Sequence, residues 1–201
     1  MTDAWLDALD PNPRRTLAAW LAEARSAELH EPEAAALATA TPDGRPSVRM
    51  VLVRGVEDGD LRVYTNHESR KGRELRGNAH AALCFNWGPP LRRQVRVEGR
   101  VERLSDDEAR AYFDTRARES RLGAWASPQS RPLADRDELD RLYAEADERF
   151  LGEDVPLPGW WGGYRLVPDA FELWQNRPNR LHDRVRYERA GDMWSPTRLG
   201  P

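Results

Sequence analysis

The chain has 201 residues, of which 39% are hydrophobic and 32% charged, with a formal net charge of −3 at pH 7. This length fits one domain with a sizeable core, and the apolar content is too high for a disordered chain. The charge argues against a general nucleic-acid binder, no apolar run is long enough to cross a membrane and no charged-then-apolar leader opens the chain, so a cytoplasmic soluble protein is expected.

Residues 13–27 open with Pro13 and carry Leu17, Trp20, Leu21 and Ala24 at helical spacing, which predicts an amphipathic helix. Residues 34–41 run apolar into the Asp43-Gly44 turn, 47–56 alternate with Arg49 and Arg54 as intruders, and Asp58-Gly59 leads into a strand over 61–65. Together these predict an antiparallel meander. Residues 68–77 read as a short helix ending at Gly77, and 80–87 and 93–103 as two further strands. Ser105-Asp106-Asp107-Glu108 is a capping box that starts a helix containing Tyr112 and Phe113. Another helical turn is expected over 119–126, and a charged helix over 135–150 with Leu139, Leu142 and Phe150 on its buried stripe. Residues 155–162 form a Pro/Gly/Trp linker, and strands over 163–167, 170–175 and 184–188 close the chain. The pattern predicts a mainly β, α+β fold, an antiparallel barrel or closed sheet with peripheral helices. Residues 1–201 form a single domain, with an N-terminal helical segment (1–30), a helical insertion (105–150) and C-terminal strands (163–201).

No metal constellation is expected, because the four histidines (His30, His67, His80, His182) are scattered and Cys84 is the only cysteine. GxSxG, P-loop and GxGxxG motifs are absent. Arginine-centred anion sites remain. Arg49 lies in an apolar strand, where burial without an anionic partner is costly. Tyr64 and Thr65 end a strand just before Ser69-Arg70-Lys71 at a helix start, a plausible phosphate cradle that holds the only lysine of the chain. Tyr112 and Arg116 stand four apart on one helix face with Ser120 beginning the next turn, a second phosphate-type cluster. From Trp174 to Arg184 the chain packs an indole, an imidazole, a carboxylate and three guanidinium groups, and extended geometry would put Arg180, His182 and Arg184 on one face. His67 and His80 read as surface or capping residues, Cys84 as buried, and Trp160 and Trp161 as linker packing.

With these pieces assembled, the chain resembles the pyridoxine/pyridoxamine 5′-phosphate oxidase family from about residue 10 to its end. The motifs that carry the resemblance are RMVLVR (49–54), VYTNHESRKGREL (63–75), RRQVRVEGRVERL (92–104), YFDTRARESRLGAWASPQS (112–130), VPLPGWWGGYR (155–165) and FELWQNRPNRLHDR (171–184). The resemblance implies an FMN-binding split β-barrel, a homodimer with FMN at the interface, and oxidation of a phosphorylated B6 vitamer by O2. It implies flavin contacts at Arg49, Met50, Val51, Leu52, Val53, Arg54, Tyr64, Thr65, Arg70, Lys71 and Gln94, and at Gln129, Ser130, Trp174 and Arg184, some reached across the dimer. It implies that Arg54, Tyr112, Arg116 and Ser120 hold the substrate phosphate, while Arg180 and His182 lie against the substrate ring as the catalytic pair.

Two departures stand out. The family usually has Lys where this chain has Arg54, and usually begins with a longer basic, Tyr-containing arm where this chain reads MTDAWLDALDP. The short start favours a related oxidase of larger tricyclic acids, of the phenazine-forming type, whereas the Tyr112/Arg116/Ser120 cluster favours the B6 enzyme. A non-catalytic carrier of FMN or pyridoxal phosphate is a third reading, opposed by the retention of Arg180 and His182.

Overall fold

The computed structural model describes residues 5–201. The first four residues of the MTDAWLDALDP start therefore lie outside the described residues. Eight strands form, β1 (Ala34–Ala40), β2 (Pro46–Leu52), β3 (Leu61–Asn66), β4 (His80–Trp87), β5 (Arg93–Arg103), β6 (Trp161–Gln175), β7 (Asp183–Ala190) and β8 (Met193–Arg198). Five α-helices accompany them, α1 (Pro13–Ser26), α2 (Arg70–Gly77), α3 (Asp106–Asp114), α4 (Arg118–Ala126) and α5 (Arg136–Arg149). None of the described helices is long and apolar enough to cross a membrane.

The strands pair antiparallel in the order β2-β1-β4-β5-β6-β7-β8, with β3 added on β6. β6 organises this split barrel. Its first part, Trp161–Leu166, pairs with β3, its last part, Ala170–Gln175, pairs with β7, and β5 runs along both. The sequence predicts two strands here, 163–167 and 170–175, and Pro168, which cannot donate to a ladder, lies between them. A register shift at Glu98/Gly99 absorbs the proline and keeps one fifteen-residue strand. Gly99 is required at that shift, since a Cβ would stand 2.1 Å from the carbonyl oxygen of Val167.

The expected meander is only half present. β1 and β2 pair as a hairpin, but β2 and β3 do not pair, and only an isolated bridge joins Arg54, two residues past β2, to Arg62 of β3. Gly55 (φ +74°) and a 3-10 turn over Val56–Asp58 lift the chain out of register, so β3 pairs with β6 instead. β8, which the sequence analysis lacks, follows β7 through a turn at Gly191 (φ +63°).

Alternation along the strands sends one set of side chains inward. Phe85, Val95, Val97, Leu173, Val185 and Tyr187 meet Leu17, Trp20 and Leu21 of α1 in the main core. Each large apolar side chain buried this way contributes about 1.5–3 kcal/mol. A satellite cluster of Leu122, Ala126, Ala146, Phe150 and Val155 joins α4, α5 and the 155–160 segment. The opposite face of the sheet is bare at the β2 edge, where Val48 and Met50 are 68% and 64% exposed.

Candidate active site

The Arg49, Tyr64/Thr65, Lys71 and Tyr112/Arg116 clusters converge on one cavity of about 330 Å³. It is lined by Arg49, Met50, Val51 and Leu52 of β2, Tyr64 and Thr65 of β3, Lys71, Tyr112, Arg116, Gln129 and Trp161. Ser69 caps α2 through its Oγ, which accepts the Gly72 N–H, and this fixes Arg70 and Lys71 in the first turn. Lys71 Nζ donates to Thr65 Oγ1 (3.0 Å), Gln129 Oε1 (3.3 Å) and Ser69 Oγ (3.4 Å). None of these is an anion, and burial, aided by the nearby Arg49 charge, lowers the ammonium pKa to about 8. Lys71 is thus a partly buried cation whose charge has no carboxylate partner among the described residues.

Arg116 is a second such cation. It lies in the connection between α3 and α4 rather than four along a continuous helix face, because α3 ends at Asp114 and Thr115 caps it. Its guanidinium carbon sits 4.9 Å from the Trp161 ring centroid and 5.6 Å from that of Phe113. Nη1 is buried with no hydrogen-bond partner, and burial lowers the group's pKa. Beside it, Tyr112 stacks on Tyr64 (3.9 Å between centroids) and receives a hydrogen bond on its hydroxyl from Arg54 Nε (3.3 Å). Ser120 sits exposed in the first turn of α4 and does not line the cavity. The side chain of Val53 is fully buried in the core, and Ser130 is exposed in a left-handed conformation (φ +67°) just after Gln129.

The anion expected beside Arg49 is supplied by the protein itself. Arg49 Nη2 lies 3.3 Å from Glu74 Oε2, and Nη1 donates to the Leu37 carbonyl (3.2 Å). Glu74 also accepts from Arg70 Nε (2.8 Å).

The remaining expected residues assemble elsewhere. Gln94, Trp174 and Arg184 are direct lateral neighbours across β5, β6 and β7. One row away, the nearly buried Glu172 accepts from Arg184 Nε (3.0 Å) and pairs with Arg96. Arg180, His182 and Arg184 do not share an extended face. Pro178 starts a 3-10 turn over Pro178–Arg180, and Asn179 (φ +58°) and Arg180 (φ +62°) are both left-handed. A non-glycine residue in that region costs of order 1–3 kcal/mol, and such strain gathers at functional sites. The turn is tied down by Arg177, which pairs with Asp183 and donates its backbone N–H to His182 Nδ1 (3.2 Å). A neutral His182 ring therefore carries its proton on Nε2, leaving a donor outside the turn. The ring tilts against Trp174 at 4.6 Å.

These two assemblies sit at opposite ends of β6. Trp161 lines the cavity and Trp174 stands thirteen residues further along the same strand, a separation of up to about 40 Å. A larger open groove, about 610 Å³, runs past His80, Glu98 and Arg186, but Arg186 is already paired with Glu98 (3.0 Å) and Glu188 (3.1 Å).

Four residues in or beside these assemblies differ from the sequence reading or escape it. Trp161 is a wall of the cavity rather than linker packing, and the adjacent Gly162-Gly163 is its signal. A Cβ on Gly163 would meet Tyr64 at 2.9 Å, and one on Gly162 would meet His67 Nε2 at 2.4 Å. Glu172 leaves no local trace, since its partners come from other strands, and for Glu74 the only local trace is Arg70 one turn earlier on α2, its other partners coming from β1 and β2. His67 is buried rather than a surface residue. Its Nδ1 lies 3.0 Å from the Tyr164 hydroxyl, and burial, with the charges of Arg103 and Arg76, pushes its pKa down to about 4.

Residues 21–149 match the family model described as pyridoxamine 5′-phosphate oxidase, and residues 161–201 match the pyridoxine 5′-phosphate oxidase C-terminal dimerisation region. The chain is 53% identical over 195 residues to the pyridoxine/pyridoxamine 5′-phosphate oxidase of Rubrobacter xylanophilus, covering 97% of this chain and 89% of that one. It is 51% identical to the protein of the same name from Gluconobacter oxydans, covering all of both chains. Among solved structures, it is similar to PhzG from Burkholderia lata 383 in complex with tetrahydrophenazine-1-carboxylic acid. That match has a TM-score of 0.89 and 36% identity, and covers 100% of this chain and 98% of the other.

Proposed function

The chain belongs to the pyridoxamine 5′-phosphate oxidase family, and from that premise we propose that it is an FMN-dependent oxidase of pyridoxine 5′-phosphate or pyridoxamine 5′-phosphate. The product is pyridoxal 5′-phosphate, and O2 is reduced to H2O2. The amine substrate also takes up one water and releases ammonia. The observation that carries the reading is Arg116, a partly buried guanidinium whose buried Nη1 has no hydrogen-bond partner and which has no carboxylate beside it among the described residues, in a cavity shared with Lys71. Burying a cation without an anion is expensive, so a phosphorylated ligand completes this site.

The donor set fits FMN. Lys71, Thr65, Gln129 and Arg70 would hold its phosphate at the start of α2, with Arg49 to Arg54 and Tyr64 beside it. When bound, FMN supplies the two-electron redox chemistry between C4′ of the substrate and dioxygen. The chain's own residues bind and orient. Arg116, Tyr112 and Arg54 would grip the substrate phosphate, with Ser120 at their edge. Arg180 would cover the substrate ring, and His182 would offer its Nε2–H to the C4′ substituent. Positioning of this kind is the protein's main contribution to the rate.

The distance between the cavity and the Gln94/Trp174/Arg184 row supports a homodimer in which each FMN lies between two copies. The dimerisation region over 161–201 and the exposed Val48 and Met50 beside the cavity point the same way. Residues 1–201 would act as one FMN-binding unit, in the cytoplasm.

The likeness to PhzG favours a second reading, oxidation of a larger tricyclic acid. The full-length relatives at 51–53% identity and the uncompensated Arg116 favour the phosphorylated vitamer. A competition assay separates the two. The FMN-loaded protein should turn over pyridoxamine 5′-phosphate and ignore a reduced phenazine carboxylic acid. The reverse preference would replace the B6 reading with the phenazine one.

A further inference from the structure

We propose that Glu74 is a positioning residue of the flavin-phosphate cradle, a buried carboxylate that fixes Arg49 and Arg70 and so sets the preference for a phosphorylated flavin. The proposal rests on the reading of the Lys71 cavity as the FMN site.

Glu74 lies one turn after Arg70 on α2, with a side chain only 4% exposed. Oε2 accepts from Thr39 Oγ1 (2.5 Å) on β1 and Ser47 Oγ (2.6 Å) on β2, and lies 3.3 Å from Arg49 Nη2. Oε1 accepts from Arg70 Nε (2.8 Å). One carboxylate thus ties together two strands and the helix that presents Lys71. Burial pushes its pKa up, but the hydrogen bonds from Ser47, Thr39 and Arg70 outweigh that and hold it at about 2, so it stays charged throughout the working range.

Two consequences follow for the arginines. Arg49 spends donors on Leu37, Thr39, Ser47 and Glu74, so its position is over-determined. Arg70 has a side chain that is 59% exposed, and Glu74 holds its Nε. Without that bond its rotamers would be free, and a phosphate would have to order it on arrival. Pre-ordering removes that loss at the moment of binding.

Positioning and simple charge balance predict opposite signs. Glu74 is negative and stands near the cations that attract the phosphate. On charge alone, removing it should tighten FMN binding. If Glu74 acts by positioning, removing it should weaken FMN binding although the cradle becomes more positive. Riboflavin, which lacks the phosphate, provides the internal control.

The test is titration of the flavin-free full-length protein with FMN and with riboflavin, followed by flavin fluorescence, for wild type, Glu74→Gln and Glu74→Asp. Thermal melts of the flavin-free forms run alongside. Glu74→Gln keeps the shape and loses the charge. It should weaken FMN binding by about tenfold, the scale of one charge-assisted hydrogen bond, and leave riboflavin binding within about twofold. Glu74→Asp keeps the charge and should restore part of the FMN preference. If Glu74→Gln folds poorly, the Asp variant alone decides, by whether its FMN-to-riboflavin ratio falls below that of wild type. Tighter FMN binding, or a parallel loss for both flavins together with a lowered melting temperature, would overturn the proposal. A wild-type protein that prefers FMN no more than riboflavin would instead sink the underlying reading of the cavity.

Discussion

Replacing Arg116 by Met separates phosphate recognition from folding. Met keeps most of the apolar stem and removes only the charged fork, whose carbon lies 4.9 Å from the Trp161 ring centroid. In the ligand-free protein the change loses a cation–π contact worth about 0.5–1 kcal/mol. It also removes a buried donor that lacks a partner, which costs about 1–3 kcal/mol to bury. Flavin-free stability should therefore stay level or rise slightly. In the complex, the charge-assisted bonds to the substrate phosphate are lost, about 1.5–3 kcal/mol. At about 1.36 kcal/mol per decade, kcat/KM for pyridoxamine 5′-phosphate should fall about 10- to 150-fold. The assay is steady-state peroxide release with the phosphorylated vitamers and with unphosphorylated pyridoxine, alongside a thermal melt. Pyridoxine turnover should change by less than about threefold, because that substrate has no phosphate to lose. Equal losses for all substrates, or a clear drop in melting temperature, would show that Arg116 serves the fold and refute the argument.

Other outcomes follow from the same geometry. Lys71 is held at a pKa of about 8 in the flavin-free protein, so FMN affinity should fall as pH rises through about 8, and Lys71→Arg should flatten the titration. The unfolded lysine titrates near 10.5 and binds more protons than the folded one between these values, so flavin-free stability should rise with pH across that window, measured by denaturant melts. Arg180→Gly relieves a left-handed arginine and should raise stability by about 1 kcal/mol while turnover collapses and FMN content holds; loss of bound FMN in step with activity would contradict the assigned role. Gly162→Ala drives a methyl to 2.4 Å from His67 Nε2 and should cost about 1–3 kcal/mol in a melt, with unchanged stability counting against the packing described.

Local signals read well from sequence where one element decides the outcome. The capping box at Ser105 and the Pro13 start of α1 appear as expected, and the charged helix expected over 135–150 forms as α5. Pairings that depend on distant strands were not legible. Nothing near Asp58-Gly59 indicates that β3 will leave β2 for β6, because the cause is the left-handed Gly55 together with the edge that β6 offers 100 residues later. The site divides in the same way. The Arg70-Lys71 and Tyr112/Arg116 clusters announce anion binding by residue type. Glu74 and Glu172 do not: an Arg70-to-Glu74 pair at i,i+4 looks like an ordinary surface helix pair, and Arg49, Arg96 and Arg184 arrive from other elements. Alternation places Arg180 on an extended face, and the consecutive left-handed residues after Pro178 break that period.

The most direct test of the central claim is peroxide release by purified, FMN-loaded protein given pyridoxine 5′-phosphate, pyridoxamine 5′-phosphate or unphosphorylated pyridoxine. Turnover of the two phosphorylated vitamers, with pyridoxine far slower, is the predicted result. No turnover of any of them with a full flavin load, or turnover indifferent to the phosphate, would contradict it.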